Sequence, residues 1–359
     1  MPVTVSAGLY STCALLSNER VKCWGNNMYG QLGDATETNS LTPVTVQGLN
    51  DAVSISAQAG YHACAVLADG RAQCWGSNYG GDFGNGSADD SSSIKTVQGL
   101  STITAISTGA NYTCAVQIDG TVFCWGETPD GTGGSTIPAL VPLQDVVSIQ
   151  TGTNDVCALR ADGTVYCWGD NVSGQIGDGM SADVLSPEAS PTEVVGLHDA
   201  VAIAVGQGQA CAVLADRTAV CWGDNTHGEL GIGTVNSGGP PYGSATPLAV
   251  PGLTAVQALA LAGDYACALL SSGNVVCWGD NQYGTLGNGT TTDAPSPTLV
   301  PGLSDVVAIS AGTEHACALE RDGSVWCWGL NTEDELGHAA TGELCSQLAC
   351  STTPVAVTW

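Results

Sequence analysis

The chain has 359 residues, 34 acidic against 7 basic, and a formal net charge of −27. Such a charge repels phosphate backbones and anionic lipid surfaces, which argues against nucleic-acid binding. No run approaches the ~18–20 apolar residues of a membrane-spanning helix, yet 43% of the residues are hydrophobic, enough for a packed core.

The chain opens on an alternating segment, Val3-Thr4-Val5-Ser6, that reads as a short strand. A second strand carries Cys13-Ala14-Leu15, and a third ends on Cys23-Trp24-Gly25. A Gly/Asn-rich loop leads to a fourth, Pro43-Val44-Thr45-Val46. The pattern then returns. Cys-Trp-Gly recurs from Cys74, Cys124, Cys167, Cys221, Cys277 and Cys327, and ten positions before each of the seven lies another cysteine followed by Ala. The units fall at about 1–51, 52–102, 103–145, 146–199, 200–253, 254–305 and 306–359, with no linker between them. A period near fifty with four strands per unit predicts one all-β domain, a seven-bladed β-propeller of four-stranded antiparallel blades. The last segment, Pro354-Val355-Ala356-Val357, reads as a fourth strand. Both chain ends therefore fall at a junction between units, where the ring closes between N- and C-terminal strands and removes edges that would template aggregation.

The cysteines follow from the hairpins. In Cys64-Ala65-Val66-Leu67, Ala68-Asp69-Gly70, Arg71-Ala72-Gln73-Cys74, a three-residue loop with Gly last is a common closure. Pairing outward from it sets Cys64 opposite Cys74, within disulfide reach. The same arithmetic pairs Cys13 with Cys23, Cys114 with Cys124, Cys157 with Cys167, Cys211 with Cys221, Cys267 with Cys277 and Cys317 with Cys327. Cys345 and Cys350, in an insertion at 337–352, are expected to pair with each other. None of the seven repeated pairs has the Cys-x2-4-Cys spacing of a zinc knuckle. Eight disulfides imply an oxidising compartment, each contributing on the order of 2–3 kcal/mol. Free buried thiols in a reducing cytosol are the rival reading. Glu19 and Arg217 stand where other hairpins have Gly, so those turns should be strained or differently shaped. Trp24 and its six equivalents alternate with the cysteines and point to the opposite blade face, as does the Ala after each first cysteine. This reads as packing between blades, with light sensing or ligand stacking the sharper alternative. Trp359 is expected to seal the ring.

Ser310-Ala311-Gly312-Thr313-Glu314-His315-Ala316-Cys317-Ala318-Leu319, then Asp322-Gly323 and Trp328-Gly329, resembles the regulator of chromosome condensation repeat. So does Asn27-Met28-Tyr29-Gly30-Gln31-Leu32-Gly33, and the likeness recurs through the chain. It implies a seven-bladed propeller. The founding member is a nucleotide-exchange factor for a small GTPase that also docks on chromatin, and chromatin docking needs basic character that this chain lacks. Cysteine-rich members are typical of exported bacterial proteins, which the resemblance suggests here. The start, Met1-Pro2-Val3, has no basic end or apolar run, so an exported form implies a leader ahead of it.

Motifs for catalysis or phosphate binding are missing: no Gly-x-Ser-x-Gly, His-Glu-x-x-His or Gly-x4-Gly-Lys-Ser/Thr occurs. Catalytic and cofactor residues are therefore expected to be none. His62 and His315 share a repeat position and read as structural, while His198, His227 and His338 lie in loop-like sequence. The loops after the tryptophans are rich in oxygen ligands, making Asp170, Asp178, Asp224 and Asp280 weak calcium candidates. The bland reading is turn formation. Inserts at 231–246 and 337–352 are candidate recognition loops. The leading expectation is an exported, non-enzymatic propeller: extracellular, periplasmic or at the cell surface, a monomeric domain or fragment of a larger chain, with a protein or cell-surface partner and no nucleic acid or membrane insertion. The alternatives are a small-GTPase exchange-like regulator, a calcium-binding surface module, and an enzyme using loop carboxylates at one channel mouth.

Overall fold

The computed structural model describes residues 1–129, 134–181, 187–236 and 242–359. Seven antiparallel sheets follow one another along the chain. The first is Pro2–Ala7, Ser11–Leu16, Val21–Gly25 and Ser40–Thr45, in that spatial order. Each first strand lies against the first strands of neighbouring sheets, and the Pro2–Ala7 strand meets the last sheet, so the sheets form a closed ring of blades. These first strands line a central channel of about 310 Å³ through residues such as Ser6, Ser56, Gln58, Ser107 and Ser310, with no charged side chain on its wall.

The hairpin register is the one the turn arithmetic predicts: Cys64 faces Cys74 and Val66 faces Ala72. All seven hairpins carry the corresponding disulfide, with Cα atoms 4.0–4.1 Å apart. Glu19 and Arg217 adopt φ of 63° and 69°, the same left-handed conformation as Gly70 at 81°. Their turns therefore keep the common shape, at the strain an L side chain incurs there.

The blades lock by one repeated device. The disulfide face of a blade packs on the tryptophan face of the next, as Cys13 and Cys23 do against Ala63, Ala65 and Trp75. The residue directly opposite the indole is the one before the first cysteine, Ala63 opposite Trp75; the Ala after the cysteine is its neighbour on that face. Five indole N–H groups then donate to a carbonyl of the preceding blade: Trp75 to Gln31, Trp125 to Asp82, Trp222 to Gln175, Trp278 to Glu229 and Trp328 to Thr285, at 2.7–2.9 Å. The accepting residue is the third of the Gly-x-Leu-Gly stretch counted from its end. The loop carrying it is organised by a buried Asn, as where Asn27 Oδ1 accepts from Leu32 N and Asn225 Oδ1 from Leu230 N.

The ring closes by this device and not by a shared sheet. Trp24 donates to the Glu335 carbonyl at 3.0 Å, Thr12 Oγ1 bonds His315 Nε2 at 2.8 Å, and Ala7 N donates to Ser310 Oγ at 2.8 Å. Trp359 stands edge-on to Trp24, ring centres 6.0 Å apart, which gives it the sealing place. His62 likewise reaches Thr113 of the next blade at 2.9 Å. Burial lowers the pKa of both histidines to about 3, so they are neutral staples.

The last blade departs from four strands. Leu344–Cys345 pairs with the start of Leu348–Ala356 as a fifth strand. The two turn residues, Ser346 and Gln347, both have positive φ, at 48° and 72°. Neither is Gly or Asn, the usual occupants of such a turn, and the Cys345–Cys350 disulfide clasps the hairpin across it. Among the described residues no cysteine is free, and no helix is long and apolar enough to cross a membrane.

Candidate functional site

Antiparallel order sends the first-to-second and third-to-fourth connections of every blade to one face of the ring. The tight hairpin turns go to the other. Charge divides along the same line. All five arginines, Arg20, Arg71, Arg160, Arg217 and Arg321, lie at the hairpin turns, and both lysines, Lys22 and Lys95, lie within strands. The loop face holds no Lys or Arg among the described residues, while most of the carboxylates are there.

Several of those carboxylates are buried. Asp82, Glu229 and Glu335 all occupy the repeat position of Gln31 in Gly30-Gln31-Leu32-Gly33, whose carbonyl takes the next blade's indole. Holding that carbonyl draws their side chains beneath the loops. Burial, then the charge of Glu127, pushes Asp82 up to about 7; burial also pushes Glu335 up to about 7. Glu314 rises to about 8 through burial and then Asp280 and Asp264. Both Asp82 oxygens and one of Glu335 have no hydrogen-bond partner.

At the junction of the first and second blades, three tyrosines meet. Tyr29 lies 5.1 Å and Tyr10 6.2 Å from Tyr61, centre to centre. Tyr29 is 38% exposed. Burial raises the Tyr10 phenol, and the negative field of Glu314, Glu335 and Glu333 raises it further. An aromatic patch beside the Glu333 carboxylate, with no Lys or Arg on that face among the described residues, suits an incoming guanidinium or ammonium group, whose charge would also favour the ionised form of Glu314.

The four calcium candidates do not form one site. Asp170, Asp178, Asp224 and Asp280 each accept a backbone N–H two residues on, from Val172, Met180, Thr226 and Gln282. Each therefore closes a turn in its own loop. Among the described residues, Asp280 is the one of the four that joins a group of three metal-ligating side chains, with His227 and Asp293. His198 sits on the opposite face, 3.8 Å from Glu193, and His338 Nδ1 meets the Ala339 carbonyl. Residues 237–241, the centre of the 231–246 insert, lie outside the described residues.

The closed, disulfide-stapled ring, whose loop face carries no Lys or Arg among the described residues, is a seven-bladed β-propeller. The chain belongs to the RCC1-like domain family, which matches residues 102–358; the regulator of chromosome condensation repeat matches 3–31, 53–82 and 19–67. The chain is 30% identical over 98 residues to the ultraviolet-B receptor UVR8 of Arabidopsis thaliana, covering 27% of this chain and 22% of that protein. It is 29% identical over 285 residues to the human E3 ubiquitin-protein ligase HERC2, covering 74% of this chain and 6% of that protein. The chain thus spans a small part of the curated relatives it matches. Yeast RCC1 (Prp20), solved bound to Kap60, superimposes with a TM-score of 0.81 over 100% of this chain and 85% of that one, at 19% identity. Human WBSCR16 gives 0.77 over 95% of each, at 20% identity. At such identities these structures speak for the fold alone.

Proposed function

We propose that the chain is an exported, non-enzymatic binding propeller whose loop face docks a cationic protein segment, anchored at Tyr10, Tyr29 and Tyr61. The observation that carries this reading is the tyrosine cluster beside Glu333 and Glu314, on a face without Lys or Arg among the described residues. Aromatic side chains supply contact area at low entropic cost, and a one-signed field accelerates encounter with a partner of opposite sign. A neutral channel wall offers no acid, base or nucleophile pair for catalysis. Eight disulfides favour an oxidising location outside the cytosol over an intracellular exchange-factor role, which rests on family membership alone.

The test is a titration of the disulfide-intact chain with a Lys/Arg-rich peptide and an Asp/Glu-rich one. The proposal expects saturable binding of the basic peptide alone, weakened by salt and at least ~10-fold by Tyr61→Ala, an anchor of the kind that dominates interfaces. Equal binding of the basic peptide by Tyr61→Ala would move the site elsewhere. No binding to the loop face would end this reading.

A further inference from the structure

Among the described residues, three metal-ligating side chains converge where the fifth blade meets the sixth: His227, Asp280 and Asp293. They come from two loops. Gly228 lies flush on Pro295, where an added Cβ would stand 2.5 Å from its Cα, and this close approach sets the adjoining His227 beside Asp293. One ligand atom from each residue lies within 4.8 Å of the others.

We propose that these residues bind one divalent transition-metal ion, of the zinc type, across the blade junction. Three features point there. First, each carboxylate is preset: Asp293 Oδ1 accepts from Asn281 N at 3.0 Å and Asp280 Oδ2 from Gln282 N at 3.3 Å, leaving the other oxygen of each for a ligand. Second, the imidazole is oriented from behind. His227 Nδ1 lies 3.3 Å from Oε1 of Glu229, whose side chain is fully buried. A ligating His commonly gives its second ring nitrogen to a carboxylate in this way, which leaves Nε2 for the metal. Third, the three side chains converge without touching. His227 pairs with Glu229 and Thr226 and makes no hydrogen bond or ion pair with either aspartate.

The closing junction of the ring shows the contrast. There the same repeat positions hold Glu333, Asn26 and Asn39, in direct contact: Glu333 Oε2 accepts from Asn26 Nδ2 at 3.0 Å and Asn39 Nδ2 at 2.7 Å. Donors and acceptor are matched, and nothing is left to bind. At the fifth–sixth junction two carboxylates face each other with no Lys or Arg on that face among the described residues, and Asp264 and Asp224 add to the negative field. A metal with bonds of ~2.0–2.2 Å reaches all three ligands after sub-ångström side-chain shifts. The imidazole favours zinc-type ions over calcium, which takes oxygen ligands. The site depends on no partner and stands or falls apart from the peptide-docking reading.

The experiment is a titration of the EDTA-treated, disulfide-intact chain with Zn²⁺ by calorimetry, with Co²⁺ absorption as a second readout. The expected result is one saturable equivalent above diffuse binding, an affinity loss of at least ~10-fold in His227→Ala and in Asp293→Asn, and none in His338→Ala. Zn²⁺ should raise the melting temperature of the parent and not of His227→Ala, with equal melting of both in EDTA showing that the variant folds. Absence of a saturable equivalent would overturn the proposal. So would Zn²⁺ binding unchanged in His227→Ala, the outcome expected if an imidazolium merely neutralises the two aspartates.

Discussion

Gly337→Ala probes the junction that closes the ring. Gly337 has φ +63°, and a Cβ there would stand 2.8 Å from Trp24 Nε1 and 2.8 Å from Val357 Cγ1. Two costs combine. The left-handed backbone costs an L residue about 1–2 kcal/mol, and forcing a methyl into packed surroundings costs about 1–3 kcal/mol. Gly302→Ala isolates the first cost, because Gly302 has φ +84° with nothing within 4 Å of the added Cβ. Urea unfolding followed by tryptophan fluorescence should therefore place Gly302→Ala about 1–2 kcal/mol below the parent and Gly337→Ala a further ~1–3 kcal/mol below that. Equal losses in the two variants would mean that the seventh blade's loop does not press on Trp24, and the account of ring closure would fail.

Other outcomes follow from single features. Arg217→Gly relieves a φ of +69° and should raise stability by about 1 kcal/mol, read as a higher urea midpoint. Asp82, Glu314 and Glu335 titrate higher in the folded chain than in the unfolded one, so their contribution is full below the unfolded carboxylate range and is lost as pH rises through about 7 to 8. His62 and His315 titrate lower when folded, so their contribution is full above ~6.5 and is lost as pH falls toward about 3. Melting temperature should therefore peak at mildly acidic pH. Glu335→Gln, which places there the residue found at Gln31 and Gln175, should flatten the alkaline limb; an unchanged limb would remove Glu335 from the explanation. Alkylation under denaturing conditions should add no adducts without reductant and 16 with it, by intact mass.

The hairpins were legible because their information is local. Cys64, Gly70 and Cys74 sit within one turn of chain, and the period-two alternation that sends Trp75 to the other face needs no tertiary knowledge. The propeller then follows from repetition. What escaped is what crosses blades. His227 has no visible partner in its own loop beyond Glu229, because Asp280 and Asp293 lie 53 and 66 residues on. The tyrosine cluster draws on three loops and two blades, and its members share no motif. Asp82 and Glu229 did carry a signal, an acidic residue inside an otherwise apolar or glycine-rich stretch, whereas Glu335 is masked by the acidic run Glu333-Asp334-Glu335; in all three the meaning depends on the indole that claims the residue's own carbonyl. The fifth strand of the last blade escaped because Ser346-Gln347 is not a recognisable turn sequence; the cysteine pair around it was the better clue.

The central claim, that the loop face is the recognition face, is tested most directly by hydrogen-exchange footprinting with a Lys/Arg-rich peptide bound. The account predicts protection in the loops at 26–39, 57–61 and 331–337, around Tyr10, Tyr29, Tyr61 and Glu333, with the hairpin turns that carry the arginines unchanged. Protection confined to those hairpin turns, or spread evenly around the ring, would contradict it.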